Sequence, residues 1–244
     1  MEDLLGAAAA RSRPTAMAET RRLEVAGAVR GLFPDGGIQR GVTLGVGSSA
    51  GVPGSWSLAL AVAGGVMAGG SCSWAAAVGF PSLGLVAASE LGVPLDRLAL
   101  VPAPGDSWPV VAASLLDGVD LVMLCPPARV RPADARRLAA RVRERGSVMM
   151  VVEAAGQRGW PESPEVRLDV ESAMWVGLDA GCGTLRARRV EVALGGRRVV
   201  GGRGRRVPLW LPGPGGGVEE AGPTGGVPVG WGEEPARPAV SAAG

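Results

Sequence analysis

A glycine- and serine-rich loop is the feature of this sequence that could hold a phosphate. The loop Gly47–Ser57 follows a short β-branched run, Val42–Val46, and overlaps the start of a segment with helical character, Ser55–Ala68. A strand, a glycine-rich loop and a helix in this order are typical of a phosphate-binding P-loop, where backbone amides and the helix N-terminus contact the phosphates. The first chemistry to consider is therefore nucleotide binding.

The loop lacks the charged residues that this chemistry needs. A P-loop, G-x-x-x-x-G-K-[ST], supplies a lysine for the terminal phosphates and a hydroxyl for Mg²⁺. Here six residues separate Gly47 from Gly54, Pro53 removes one amide donor, Ser55 stands at the lysine position and Trp56 at the hydroxyl position. We expect a vestigial site with no cofactor, made of Gly47, Ser48, Gly54, Ser55 and Ser57.

The composition excludes several other chemistries. The chain of 244 residues has no lysine, histidine, tyrosine or asparagine, so its 25 basic residues are all arginines. Together with 40 glycines and 20 prolines, this bias indicates very GC-rich coding DNA. Cys72, Cys125 and Cys182 form no close-spaced pair. We therefore expect no metal site, no disulfide framework and a reducing, cytoplasmic location.

From Gln39 to Val152, apolar runs alternate with helical segments, as in a parallel sheet covered by helices. The predicted strands are Val42–Val46, Ser71–Val78, Leu98–Val101, Leu121–Leu124 and Val148–Val152, and the predicted helices are Ser55–Ala68, Leu83–Leu91, Val110–Leu116 and Ala133–Arg145. Three antiparallel strands are predicted at one edge, namely Arg167–Val170, Met174–Leu178 and Thr184–Leu194. The fold class is α/β, with a mainly parallel central sheet flanked by helices and antiparallel strands added at the C-terminal edge.

The long uncharged stretch Gly41–Ser89 has two interpretations. Its segment Leu58–Val78 is long enough to cross a bilayer. The same absence of charge is typical of buried parallel strands and the helices that cover them. We favour the buried sheet, because paired glycines interrupt the run where strands and helices would end.

Three segments resemble the RecA recombinase family. Glu90–Leu98 is similar to a helix-turn-strand signature of that family, Gly118–Leu124 resembles its Walker B strand, and Val166–Val170 with Leu185–Leu194 resembles the strands that end its core. The resemblance covers roughly residues 25 to 200 and implies a RecA-like domain over 25–211. We expect residues 1–24 to form a helix or a flexible arm, and 212–244 to form a disordered Pro/Gly/Glu tail.

The departures from this family predict a protein without catalysis. Where the family keeps an Asp at the end of the Walker B strand, this chain has Cys125, and where it keeps a catalytic Glu, the position falls near Phe80. Phosphoryl transfer depends on positioned charges, so their joint loss leaves no plausible hydrolase. The loops with which RecA contacts DNA are also short, so direct DNA binding is expected to be weak or indirect.

A degenerate RecA-like core followed by an arginine-rich end resembles the ImuA-type accessory proteins of bacterial mutagenesis cassettes, in particular their actinobacterial ImuA-prime branch. The resemblance implies a scaffold role in SOS-inducible translesion synthesis. Its implied partners are the Y-family polymerase homologue ImuB and an error-prone C-family polymerase, with the protein at the nucleoid when in the complex. The alternatives are a RecA-like regulator of cell division in the manner of SulA, and a nucleotide-binding recombinase homologue.

The arginine-rich end is the candidate partner surface. Residues 186–206 contain eight arginines and one glutamate, and an acidic tail follows. Arg206–Trp210 resembles the short peptide that docks on the sliding clamp, although Arg206 stands in place of its usual Gln; the simpler alternative is an edge strand with Trp210 folded onto the core. The candidate partner-binding residues are Arg197, Arg198, Arg203, Arg205, Arg206, Leu209 and Trp210. A solvated strand face is the simpler alternative for the arginines.

Overall fold

A nine-stranded sheet runs through the computed structural model of this chain, which describes residues 22–33, 35–153, 159–179, 182–197 and 204–222. The strands are β1 (Arg22–Glu24), β2 (Gly37–Gln39), β3 (Thr43–Ser48), β4 (Ala75–Val78), β5 (Leu98–Val101), β6 (Leu121–Leu124), β7 (Val148–Val152), β8 (Val166–Asp179), β9 (Cys182–Gly195), β10 (Arg206–Trp210) and β11 (Glu219–Glu220). The helices are α1 (Ser55–Ala68), α2 (Leu85–Glu90), α3 (Trp108–Gly118) and α4 (Pro132–Arg145). Short 3-10 turns occupy Ala28–Leu32, Leu95–Arg97 and Gly105–Ser107.

The strand order in the large sheet is β11-β10-β9-β8-β3-β7-β6-β4-β5. Every pair from β8 to β5 is parallel, and β9, β10 and β11 are added antiparallel at the β8 side. Strands β3, β4, β6 and β7 are buried at every residue because helices or loops cover both faces. The predicted α/β class, with antiparallel strands added at the C-terminal edge, is confirmed.

The uncharged stretch forms core rather than a membrane span. Helix α1 is buried at eleven of its fourteen residues. It lies so close to the chain behind it that a Cβ on Gly64 would come within 2.1 Å of the Leu91 carbonyl oxygen. Among the described residues, no helix is both long enough and apolar enough to span a bilayer.

Helix α4 shows how local sequence sets an element of this fold. Pro132 begins it, and Gly146 ends it in the left-handed conformation, with φ of 67°. Asp134 in its first turn accepts a hydrogen bond from Arg131 at 2.8 Å. Leu138 and Val142 are fully buried on the face that contacts the sheet. The predicted helix Ala133–Arg145 is confirmed, with one residue added at its start.

Two predicted strands are one strand in the structure. Arg167–Val170 and Met174–Leu178 both belong to β8, which pairs in parallel with β3 at its start and antiparallel with β9 along its length. The prediction of separate strands, all antiparallel, was wrong here. Register shifts after Val170 and after Val176 invert the side-chain alternation, which made one bulged strand look like two.

The domain extends past both predicted boundaries. Arg22–Glu24, assigned to an N-terminal helix or arm, is strand β1, and its Leu23 is fully buried. Residues 212–222, assigned to a disordered tail, include β11, which pairs with Leu209 and Trp210. Backbone pairing of this kind leaves no signature in a Pro/Gly-rich composition. Residues 1–21 and 223–244 lie outside the described residues.

Candidate functional site

The glycine-rich loop lies at the carboxyl end of β3, where α/β proteins bind ligands. Ser49 and Val52 close a turn through a backbone hydrogen bond of 3.0 Å. Gly54, with φ of 143°, is the N-cap of α1, and no side chain caps this helix end. Its first amides therefore lack side-chain acceptors, and they carry the positive end of the helix dipole. The vestigial P-loop residues Gly47, Ser48, Gly54, Ser55 and Ser57 surround this strand-loop-helix junction.

The two other nucleotide-site positions carry no carboxylate. Cys125 directly follows β6, and its amide donates a hydrogen bond to the Val78 carbonyl oxygen at 2.9 Å. Burial raises the pKa of the Cys125 thiol, so it is protonated at neutral pH and is a poor nucleophile. Phe80, after β4, is buried edge-on against Trp56 with ring centroids 5.1 Å apart. An aromatic pair thus occupies the place predicted for the water-activating group.

A buried ion-pair network, which the sequence analysis missed, lies on the other face of the β3 strand end. Arg167 on β8 donates to Glu153 at 2.6 Å and to both carboxylate oxygens of Asp169 at 2.9 and 3.1 Å. Glu153 follows β7, and its other oxygen accepts the Trp160 backbone amide at 3.0 Å. The Glu153 side chain is 3% exposed and that of Arg167 is 12% exposed. The network therefore links the end of β7 to β8, across β3 that lies between them, in a low-dielectric setting.

This network explains why residue 47 is a glycine. A Cβ on Gly47 would lie 2.5 Å from Nη2 of Arg167 and 2.7 Å from Oδ1 of Asp169. A side chain at residue 47 would displace the ion pair. Gly47 therefore leaves room for the ion-pair network, in addition to its place in the glycine-rich loop. Two signals could have revealed the network: Glu153 is the first charge after a buried strand, and Arg167 and Asp169 share one face of β8.

A second buried arginine lies on the α1 face of the same junction. Arg188 on β9 is 6% exposed, its Nε donates to the Leu211 carbonyl oxygen at 2.7 Å, and its guanidinium stacks on Trp175 at 5.3 Å. A Cβ on Gly54 would lie 3.7 Å from its Nη2 atom. Burial lowers the pKa of Arg188, which nonetheless remains charged at neutral pH.

A cleft of about 720 Å³ opens at the carboxyl ends of β4, β5 and β6. Its walls include Trp108, Cys125 and several prolines, and its charged lining residues carry both signs: Asp106, Arg129, Arg131 and Asp134. Among the described residues, no group of three or more Cys, Asp or Glu side chains is arranged to hold a metal ion.

The structure separates the predicted partner-binding residues into two kinds. Arg197 pairs with Glu165 and Arg206 with Glu171, both at the surface, and Arg205 is exposed. Leu209 is fully buried and Trp210 is 5% exposed, because both belong to β10 inside the sheet. As folded, they cannot enter a pocket on a sliding clamp, so that interpretation of Arg206–Trp210 is corrected. Arg198 and Arg203 lie outside the described residues.

The outer part of the β8–β9 hairpin exposes apolar side chains that the sequence analysis did not single out. Beyond the register shift at Val170, this outer β8–β9 hairpin (residues 172–178 and 183–189) extends past β3. Four apolar side chains there are 42–59% exposed: Met174, Trp175, Leu178 and Leu185. Exposed apolar groups beside arginines are typical of protein-binding surfaces.

Comparison with known proteins bears on both fold and family. Residues 31–162, more than half of the chain, match the family model of the MT3502 N-terminal domain. The chain belongs to the MT3502 N-terminal domain family. Over 105 residues it is 44% identical to Rv3395c, an uncharacterized protein of Mycobacterium tuberculosis. That alignment covers 43% of this chain and 50% of the relative, so the chain spans about half the length of the curated relative it matches.

A solved structure supports the fold of this family member. The KaiC-like protein PH0186 of the hyperthermophilic archaeon Pyrococcus horikoshii OT3 superposes with a TM-score of 0.58, covering 83% of this chain and 99% of that one. The two sequences are 12% identical, so the likeness concerns fold alone. The fold is RecA-like.

Proposed function

We propose that this protein is a non-catalytic RecA-like accessory protein of an SOS-inducible translesion synthesis complex, acting through protein contacts. Its partners in this proposal are the Y-family polymerase homologue ImuB and an error-prone C-family polymerase. One observation carries the non-catalytic part: after β4 and β6, Phe80 and Cys125 stand where carboxylates would be needed, and both are wholly or partly buried. The mutagenesis role rests on the resemblance to ImuA-type proteins.

The outer β8–β9 hairpin supports action through protein contacts. Its exposed apolar side chains would lose water on binding, and Arg186 on the same hairpin is also exposed. Aromatic, methionine and arginine side chains are the residues most enriched in protein interfaces. We assign the contact with the Y-family homologue to this hairpin, in addition to the exposed Arg205 and Arg206 predicted from sequence.

Co-purification tests this function. A tagged full-length chain, co-expressed with ImuB, should retain it, and replacing Met174 and Leu178 with Ser should weaken the complex about tenfold or more, because interface anchors each contribute on the order of 1–2 kcal/mol. Val86→Ser and Val110→Ser are matched controls, since these apolar side chains are 73% and 60% exposed elsewhere on the domain.

Two further experiments test the proposed role. Deletion of the gene should lower damage-induced mutation. DNA-stimulated ATP hydrolysis by the purified protein would contradict the non-catalytic role. Filamentous growth on over-expression, with mutation rates unchanged by deletion, would instead favour a regulator of cell division.

A further inference from the structure

The outer β8–β9 hairpin has one strand edge without a neighbouring strand. β3 pairs with β8 only as far as Val170, whose carbonyl oxygen accepts a hydrogen bond from the Ser49 amide at 2.9 Å. Beyond this point β8 continues to Asp179 and pairs with β9. Within the described part of the chain, no strand pairs with the second edge of β8 over residues 172–178. This stretch therefore directs backbone hydrogen-bonding groups toward solution.

The pairing of β9 identifies which residues of β8 direct their backbone groups to this free edge. The Arg188 amide donates to the Pro212 carbonyl oxygen at 2.9 Å, and the Arg188 carbonyl oxygen accepts from the Leu211 amide at 2.7 Å, both on the side away from β8. Residues that face each other in an antiparallel pair alternate between bonding to each other and pointing outward. Trp175, opposite Arg188, and Ala173, two residues earlier, therefore direct their N–H and C=O groups to the free edge.

The free edge lacks two of the features that protect exposed strands. Charged side chains and prolines commonly block strand addition, and residues 172–178 contain neither. The exposed Met174 and Trp175 are consecutive, so their side chains point to opposite faces of the hairpin. A partner that docked on one face would cover only one of them, whereas an added strand carries side chains on both faces. The pattern of exposure therefore favours binding at the edge.

The charge near this edge selects between possible occupants. A Cβ on Gly177 would lie 3.0 Å from Cγ of Arg186, so the Arg186 side chain lies against β8 where that strand has no side chain of its own. Because neighbouring strands are about 4.8 Å apart, its guanidinium can reach a strand added to the edge. The outer β8–β9 hairpin contains three arginines and no carboxylate. A second copy of this chain would bring like charge to the edge, whereas an acidic segment would bring opposite charge.

We propose that the free edge of β8 binds an extended segment of another protein as an added strand, and that this segment is apolar with an acidic residue near Arg186. Backbone hydrogen bonds to Ala173 and Trp175 set its register, and the ion pair with Arg186 gives selectivity. This inference rests on the proposed function, in which the outer β8–β9 hairpin is the protein contact, and it specifies how that contact is made.

A labelled synthetic peptide tests the edge without the polymerase partners. In the acidic probe, valine and threonine alternate around one central aspartate, and in the control peptide lysine replaces the aspartate. Fluorescence polarisation should show saturable binding of the acidic probe to the full-length chain. The lysine peptide should bind at least about tenfold more weakly, because it places like charge beside Arg186.

Two pairs of variants test the backbone and the charge separately. Ala173→Pro removes an N–H that points to the free edge and should weaken binding of the acidic probe about tenfold or more, whereas Ala173→Ser keeps that N–H and should bind as the native chain does. Arg186→Glu should reverse the preference between the two peptides. Arg205→Glu makes the same charge change at an exposed position outside the hairpin and should leave the preference unchanged.

The outcomes distinguish this inference from the proposed function. Absence of saturable binding of the acidic probe, or equal binding by a folded Ala173→Pro variant, would overturn strand addition even if ImuB co-purifies. If circular dichroism shows that Ala173→Pro is unfolded, the surface variant Arg186→Glu decides, and an unchanged peptide preference overturns the proposal. Dimerisation of the native chain that Arg186→Glu strengthens would identify a second copy as the occupant and would also overturn it. Loss of ImuB binding with the probe still bound would count against the proposed partner alone.

Discussion

At the scale of single residues, two buried arginines near the strand-loop-helix junction differ in how their charge is compensated. Arg167 is neutralised by Glu153 and Asp169, and its position dictates a glycine at residue 47. Arg188 stacks on Trp175 and has no carboxylate partner among the described residues. The first arrangement compensates the buried charge with carboxylates, whereas the second holds the guanidinium by an aromatic contact and a backbone carbonyl oxygen.

Removing Glu153 should destabilise the domain strongly. In Glu153→Leu, Arg167 keeps only Asp169, and the Trp160 amide loses its acceptor. We expect a loss of about 3–5 kcal/mol in the free energy of unfolding, measured by urea titration followed by circular dichroism. Glu171→Gln is the control: it breaks the exposed pair with Arg206 and should cost at most about 1 kcal/mol. Equal losses in the two variants would show that the network contributes no more than a surface ion pair.

At the scale of elements, the sequence predicted the helices and strands that have a clear apolar pattern and clear terminal residues. The bounds of α1, β5, β6 and β7 agree with the structure because their apolar runs end within two residues of a glycine, proline or charged residue. The bulged β8 and the short β11 were missed, since a bulge inverts alternation and a two-residue strand has none. The Arg167 network was missed because Glu153 and Arg167 lie on separate elements that only the fold brings together.

Helices α3 and α4 are joined by a charge contact that makes stability depend on pH. Asp117 on α3 accepts hydrogen bonds from Arg141 and Arg145 on α4. The hydrogen bond from Arg141 is the largest cause that lowers the pKa of Asp117 in the folded state. A lowered folded pKa means that this contact stabilises the fold above the unfolded pKa, near 3.8, and that the contribution is lost as pH falls through the folded value.

We therefore expect Asp117→Asn to be less stable than the native chain at neutral pH, by an amount that shrinks as pH falls below about 4. Urea midpoints measured at intervals between neutral pH and acid pH check this expectation. Asp96→Asn, which removes an exposed carboxylate near β5, serves as the control and should leave the urea midpoint at neutral pH close to that of the native chain. A deficit for Asp117→Asn that is constant down to the acid limit would argue against the ion pair as its cause.

At the scale of the whole molecule, the parallel and antiparallel parts of the sheet share one core. The larger apolar cluster contains Val46 of the parallel part together with Val190 and Leu209 of the antiparallel part. β10 and β11 are therefore integral to the domain, although the segment that contains them, residues 204–222, is rich in glycine and proline. The same continuity removes the Arg206–Trp210 segment from the set of free docking peptides.

This continuity predicts that Trp210→Ala is a folding mutation and not a binding mutation. Truncating a large buried side chain costs about 3–5 kcal/mol, so the variant should unfold at lower urea concentration in one transition, with secondary and tertiary circular dichroism signals changing together. Arg205→Gln, an exposed change one strand position before β10, should leave that midpoint unchanged within about 0.5 kcal/mol. If Trp210→Ala kept native stability and lost only partner binding, Trp210 would have to leave the core to act as a docking anchor, and the single-core description of this sheet would be wrong.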